Sequence, residues 1–234
     1  ERLYTHWERR RRARDIYLER LRAPDEMSAE DVEHLKALYD AQLYYLDQGV
    51  GRLFEVLDNL DLMERTIIVI LSDHGEAFGE HGEYETHWQC YDEVTRMVLI
   101  VRDPRQERRG RTVRQLVQMI DIMPTILELL DLPVPSSAQG RSLLPLLWTG
   151  RDSEREQVAI SVGQTMRAIR TPMWKLIVTA EGEGELYQLG ADPKEQRNLI
   201  AHHPDIAARL QHRLNELHPI AFAEATAVTH PEEW

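Results

Sequence analysis

The residues best suited to chemistry lie together in Ser72-Asp73-His74-Gly75-Glu76-Ala77-Phe78-Gly79-Glu80-His81-Gly82, followed by His87. Three of the ten histidines fall between positions 74 and 87, among Asp73, Glu76, Glu80, Glu83 and Glu85. A carboxylate beside a neutral imidazole suits a divalent metal of borderline hardness, such as Zn or Mn, and also serves Ca or Mg. Gly75 permits a sharp turn without a Cβ clash. Two ligands fall short of a tight site, which needs three or four protein ligands or a substrate filling the gap. By itself an Asp-His pair reads more often as a hydrogen-bonded structural pair, so the surrounding chain has to decide.

The flanking pattern predicts elements that would hold this segment at a strand end. Residues 1 to 22 read as a charged helix, and Ala23-Pro24-Asp25-Glu26 separates it from a second helix with Ser28 as N-cap. Val32, Leu35, Tyr39, Leu43, Leu46, Val50, Leu53 and Leu57 recur every three or four residues there, predicting one apolar stripe facing a core. Asn59-Leu60-Asp61 ends that helix. Thr66 to Leu71 is short, apolar and β-branched, the pattern of a strand buried on both faces, and Met97 to Val101 is a second such strand. Helix, strand, polar loop and strand suit an α/β domain, in which ligands sit beyond the carboxyl ends of the strands.

Downstream, Asp121 to Leu130 predicts a helix capped by Asp121, with Pro124 tolerated in its first turn. Strands are expected at Gln157 to Val162, Met166 to Arg170, Trp174 to Thr179 and Glu185 to Leu189, then a helix at Pro204 to Leu217. The domain reading is an α/β part over 1-150 and an antiparallel subdomain over 151-234.

Composition narrows the classes. The 234 residues are 42% hydrophobic and carry a net charge of -12. That balance disfavours nucleic-acid binding, and the run Arg9-Arg10-Arg11-Arg12 is interleaved with acids as a solvated helix face would be. No apolar run reaches membrane-span length. A single cysteine, Cys90, allows no disulfide within the chain, and the compartment, cytoplasmic or periplasmic/secreted, stays open. The start, Glu1-Arg2-Leu3, points to a truncated chain.

Together these segments resemble the sulfatase family of the alkaline-phosphatase superfamily, in its C-terminal portion. The resemblance is carried by Ile68 to Glu76, Gly79-Glu80-His81-Gly82, His87, Tyr91-Asp92-Glu93 and Arg96 to Val101. Tyr45 to Leu53 is similar to the helix preceding the loop in that family, and Asp121 to Leu127 and Gln139-Gly140-Arg141-Ser142-Leu143 to the segments after it. Trp174-Lys175-Leu176-Ile177 and Glu185-Leu186-Tyr187, through Asp192-Pro193 to Asn198-Leu199, match its C-terminal subdomain.

The resemblance implies a partial alkaline-phosphatase-like central sheet flanked by helices, plus a small C-terminal antiparallel sheet with a helix. It implies a metal-dependent hydrolase of sulfuric esters, with Asp73 and His74 as ligands to one divalent ion (Ca, Mg, Mn or Zn). His87 would bind the sulfate or phosphate oxygens of a small-molecule sulfate ester. His81 would organise the loop, Glu76 and Glu80 would structure it or stand solvated, and Arg96 would support it through an ion pair. Many sulfatases carry Asn where His74 stands, a departure that leans toward phosphonate-hydrolase-like or transition-metal variants. The family nucleophile, a formylglycine matured from Cys/Ser-x-Pro-x-Arg, is expected in the missing N-terminal half, because Cys90 precedes Tyr91-Asp92-Glu93-Val94. Cys90 reads instead as a small buried residue. Two alternatives remain: a phosphodiester or phosphonate hydrolase or phosphoethanolamine-type transferase of the same superfamily, and a non-catalytic metal-binding or interaction module.

Overall fold

The computed structural model describes residues 27–84, 88–106 and 110–219. The expected helix over residues 1 to 22, the Arg9–Arg12 run and His87 lie outside them. The chain divides into two compact units. Within the described residues, one comprises 27–66 with 74–84, and the other comprises Ile67–Asp73 with the residues from Trp88 onward.

In the first unit, α1 spans Ala29–Asn59. Ser28 caps it as expected. The Ser28 hydroxyl accepts the Asp31 N–H at 3.2 Å, and the Asp31 carboxylate accepts the Ser28 N–H at 3.1 Å, a reciprocal capping box. The apolar stripe departs from expectation. Of the stripe only Leu35 is buried, whereas Leu43, Leu46 and Leu53 are exposed, Leu46 at 61%. A helical period specifies which residues share a face, but whether that face is covered depends on what is packed against it.

The second unit begins with β1, Ile68–Leu71, which pairs antiparallel with β2, Leu99–Arg102, in the register Leu71↔Leu99. A four-residue helix, α2 at Asp92–Thr95, precedes β2. The strands are half-exposed rather than buried on both faces, Leu71 at 43% and Ile100 at 56%. A ribbon of two strands leaves both outer edges open, so apolar composition alone does not bury it.

A 3-10 turn at Met119–Asp121 then leads into α3, Ile122–Leu129, and α4 follows at Leu144–Thr149. Asp121 sits at the start of α3, yet its side chain makes no capping bond there. It is buried. Its carboxylate accepts the N–H groups of Gln118 and Arg141, both at 2.8 Å, and ion-pairs with Arg155. Gly140, in the Gln139–Leu143 segment, is required because a Cβ there would collide with the Ile120 carbonyl.

The remaining strands form one antiparallel sheet in the order β3 (Ala159–Val162), β4 (Met166–Arg170), β5 (Trp174–Thr179) and β6 (Gly184–Gln188), as the turn-punctuated pattern predicts. Strand alternation gives this sheet two apolar faces. Ile169, Leu176 and Leu186 occupy one and pack with Ala207 and Leu214 of α5, Pro204–Leu217. Ala168, Ile177 and Tyr187 occupy the other and pack with Cys90 and Tyr91. Both faces are covered, which is why β5 reads as a nearly unbroken apolar run.

Candidate functional site

β1 delivers the chain to the predicted site. Just beyond it, the Ser72 N–H donates to the Val98 carbonyl at 3.2 Å, and the Ser72 hydroxyl accepts the Val98 N–H at 3.0 Å. The two bonds extend the ribbon by one residue pair and fix the backbone immediately before Asp73, whose side chain belongs to an exposed residue of the second unit.

His74, next in the chain, opens the loop of the first unit. Its Nδ1 lies 2.6 Å from the Gly75 carbonyl oxygen. A carbonyl only accepts, so Nδ1 carries the proton in this bond. This is how metal-ligating histidines are held: one ring nitrogen is fixed by a backbone carbonyl and the other offered to the ion. The donor set of Asp73 and His74 therefore fits a divalent cation chemically. It is incomplete, because among the described residues no three of His, Cys, Asp and Glu cluster as a metal-holding group.

The rest of the loop folds on itself. The Phe78 N–H donates to the Glu80 carboxylate at 2.6 Å, so Glu80 organises the loop as expected. Gly79 donates to the Glu83 carbonyl at 2.9 Å, and Phe78 bridges Tyr84. Gly79 and Gly82 take φ values of 90° and 84°, in the left-handed region that favours glycine. A Cβ on Gly79 would also stand 2.5 Å from the Tyr84 ring. Within the same unit, Tyr39 of α1 meets Phe78 edge to face at 5.4 Å. Arg96 is exposed and makes no ion pair among the described residues, contrary to the support expected of it.

The chain rejoins the second unit at Trp88, and there the structure adds residues that sequence reasoning missed. The Lys175 ammonium, on β5, lies 2.9 Å from the Asp92 carboxylate and 2.7 Å from that of Glu195. Arg170 on β4 donates to Asp92 as well, at 3.1 Å, and the Asp92 N–H donates to Glu195 at 2.7 Å. Lys175 and Glu195 are each 1% exposed. Burial pushes the Asp92 carboxyl pKa upward, but Lys175 and Arg170 overcome it and hold the net value below the ordinary range. For Glu195 burial prevails over Lys175, and its pKa is raised. The available signal was a lysine inside the apolar run Trp174–Val178, where an ammonium survives only with buried partners.

A surface turn presents Glu195. Asp192 accepts the N–H groups of Gln196 and Arg197, and Asn198 accepts those of Leu186 and Ile200. Glu195 itself adopts φ 55°, uncommon for a residue with a side chain, which the surrounding bonds must hold.

Further contacts dock the same returning segment. The Tyr91 and Tyr187 hydroxyls both donate to Glu185 at 2.8 Å, and the Cys90 thiol points at the Met166 carbonyl at 3.6 Å. Cys90 is thus the buried small residue expected of it, and burial pushes its thiol up to about 11. A separate cavity of about 690 Å³ in the second unit is lined by Leu99, Val101, Arg111, Val113, Leu143 and Leu146, among others. It includes neither Asp73 nor the Lys175, Glu195 and Arg170 side chains around Asp92, and its mostly aliphatic lining offers no carboxylate–imidazole pair.

Comparison with known proteins places these features. The family model Sulfatase matches residues 6–132, and the model described as N-sulphoglucosamine sulphohydrolase, C-terminal, matches residues 79–219. Arylsulfatase K of Gallus gallus is 30% identical over 207 residues, covering 82% of this chain and 38% of that protein. N-acetylglucosamine-6-O-sulfatase of Bacteroides thetaiotaomicron is 34% identical over 175 residues, covering 69% of this chain and 31% of that protein. A solved structure of BT4656 in complex with its substrate D-Glucosamine-2-N, 6-O-disulfate superposes with a TM-score of 0.67 at 30% identity, covering 74% of this chain and 38% of that one. The chain thus spans well under half the length of the relatives it matches.

Proposed function

The chain belongs to the sulfatase family, and we propose that it forms part of a metal-dependent hydrolase of sulfuric esters. The observation that carries this reading is the family match running unbroken through β1, the Asp73-His74 turn and β2. In this reading Asp73 and His74 are two ligands of one divalent ion. When bound, such an ion polarises the ester oxygens and stabilises charge developing on the transferred group.

The residues of this chain serve three tasks. Ser72, bonded twice to Val98, sets the backbone from which Asp73 projects. The Gly75 carbonyl keeps the proton of His74 on Nδ1, so that Nε2 can act as donor to a cation. His87, outside the described residues, would give an N–H to the sulfate oxygens. The nucleophile, proposed to be formylglycine, and the remaining acidic ligands would come from elsewhere in the enzyme, since this chain contains no Cys/Ser-x-Pro-x-Arg sequence.

The test is hydrolysis of 4-nitrophenyl sulfate and glucosamine 6-sulfate by the full-length enzyme, before and after chelation and with divalent ions restored. Chelator-sensitive sulfate release supports the reading. Release of 4-nitrophenol only from a phosphonate monoester or phosphodiester would replace it with the phosphoryl alternative, and activity on none of them would overturn it.

A further inference from the structure

The cavity of about 690 Å³ lies wholly within the second unit and is no part of the candidate metal site. β2 supplies Leu99 and Val101 to its walls, the segment after Gly110 supplies Val113 and Val117, and Leu143 and Leu146 come from the start of α4. The 111–117 wall is tied in place by side-chain amides. Gln115 exchanges two hydrogen bonds with the Asp152 backbone, at 2.8 and 2.7 Å, and the Leu116 N–H donates to Gln157 at 3.0 Å. The volume falls within the range of roughly 300–1,000 Å³ that small-molecule sites occupy.

The polar groups of the lining are unequally matched. Asp103 is buried, and its carboxylate accepts from Arg105 Nε at 2.9 Å and Nη2 at 3.1 Å. Burial pushes the Asp103 pKa up, but Arg105 and then Arg102 hold the net value below the ordinary range. That negative charge is already neutralised. Arg111 has no such counterpart. Its side chain lies across Gly150 at the end of α4, where a Cβ would stand 3.1 Å from both Cδ and Nη1. Nη1 is buried without an acceptor, and the guanidinium forms no ion pair among the described residues. Gln106, also in the lining, buries Nε2 without an acceptor.

An arginine does not shed its proton, and a buried donor left unpaired is costly. Hydrocarbon alone would cover the aliphatic walls and leave Arg111 unneutralised. An anion with a hydrocarbon body answers both. We propose that this cavity binds a small amphipathic anion, with its head group at Arg111 and Gln106 and its hydrocarbon along Leu99, Val113 and Leu146. The inference is independent of the sulfatase reading, because binding is read without turnover.

The test is calorimetric titration of the full-length enzyme with octanoate, which carries no ester to hydrolyse, and with 1-octanol, which lacks the charge. Octanoate is expected to bind saturably with Kd below about 1 mM. Octanol should bind at least about tenfold more weakly, and octanoate should lose at least about tenfold in affinity for Arg111→Met. Arg111→Lys keeps the charge without the planar fork and should fall between wild type and Arg111→Met. Amide exchange should slow at 97–103 and 111–117 when octanoate binds, which separates this cavity from any other anion site on the enzyme. If Arg111→Met does not fold, the octanol comparison and the exchange map carry the test. Equal affinity for octanol and octanoate, undiminished octanoate binding by folded Arg111→Met, or no slowing at 97–103 and 111–117 overturns the proposal. Absence of saturable octanoate binding overturns it too, and would mean that another part of the polypeptide fills the cavity.

Discussion

The Arg155 guanidinium donates to an Asp121 carboxylate oxygen at 2.8 Å, and both side chains are almost wholly buried. Asp121 also receives two backbone N–H groups, and Arg155 donates onward to the Arg141 carbonyl at 2.7 Å. The pair therefore ties the start of α3 to the Gln139–Leu143 segment and to the approach to β3. Arg155→Met strands a buried carboxylate and is expected to cost about 3–5 kcal/mol. Urea denaturation checks it; a loss under about 1 kcal/mol would show that Asp121 is satisfied by its backbone donors alone.

Gly163 and Gly51 should respond oppositely to alanine. A Cβ on Gly163 would strike the Trp88 carbonyl, so Gly163→Ala must displace the returning loop segment, at an expected cost of about 1–3 kcal/mol. At Gly51, within α1, a methyl group would meet nothing within 4 Å, and Gly51→Ala should stabilise by up to about 1 kcal/mol. Paired thermal melts read both signs.

Cys90 should be chemically silent in the folded protein. Its thiol is buried and its pKa pushed to about 11, so little thiolate exists at pH about 8. Iodoacetamide is expected to label it in denaturant and spare it under native conditions. Rapid native labelling would mean that the Trp88–Tyr91 segment opens readily from the sheet.

Acid should weaken the Asp92 contacts. The folded-state pKa of Asp92 is depressed, so its stabilisation is fully present above the unfolded value of about 4 and is lost as pH falls through the lower folded value. Glu195 has the opposite sign: with its pKa raised, the folded protein takes up that proton first on acidification, and this uptake favours the fold. The stability gap between wild type and Asp92→Asn should thus be widest near neutrality and shrink below pH about 4. A gap that widens in acid would contradict the assignment of Lys175 and Arg170 as its partners.

In the full-length enzyme, Asp73→Ala and His74→Ala are each expected to lower kcat/KM on a sulfate ester by at least about 100-fold. Melting temperatures should change little, because Asp73 is exposed and His74 only half-buried. Wild-type rates in either variant would remove that residue from the site.

Local chemistry made much of this protein legible in its sequence. Ser28 and Asp31 announce α1 because a cap is settled within four residues, and the turn signals that punctuate 157–189 announce four short strands because tight turns fold consecutive strands back on one another. The Ser72-Asp73-His74-Gly75 run, set at the end of an apolar strand, marked the candidate site for the same reason. Coverage and partnership were decided only in three dimensions. The apolar side chains of α1 and of β1 and β2 share faces by periodicity, yet exposure depends on what lies opposite, which no period encodes. Asp121 carries the residue type of a helix cap, but Arg155, 34 positions away, claims its carboxylate. In sequence, Lys175 is a single charge within the apolar strand segment Trp174 to Thr179. Only the fold, by bringing Asp92 and Glu195 from separate turns of the chain to within 3 Å of its ammonium, made a buried charge affordable there.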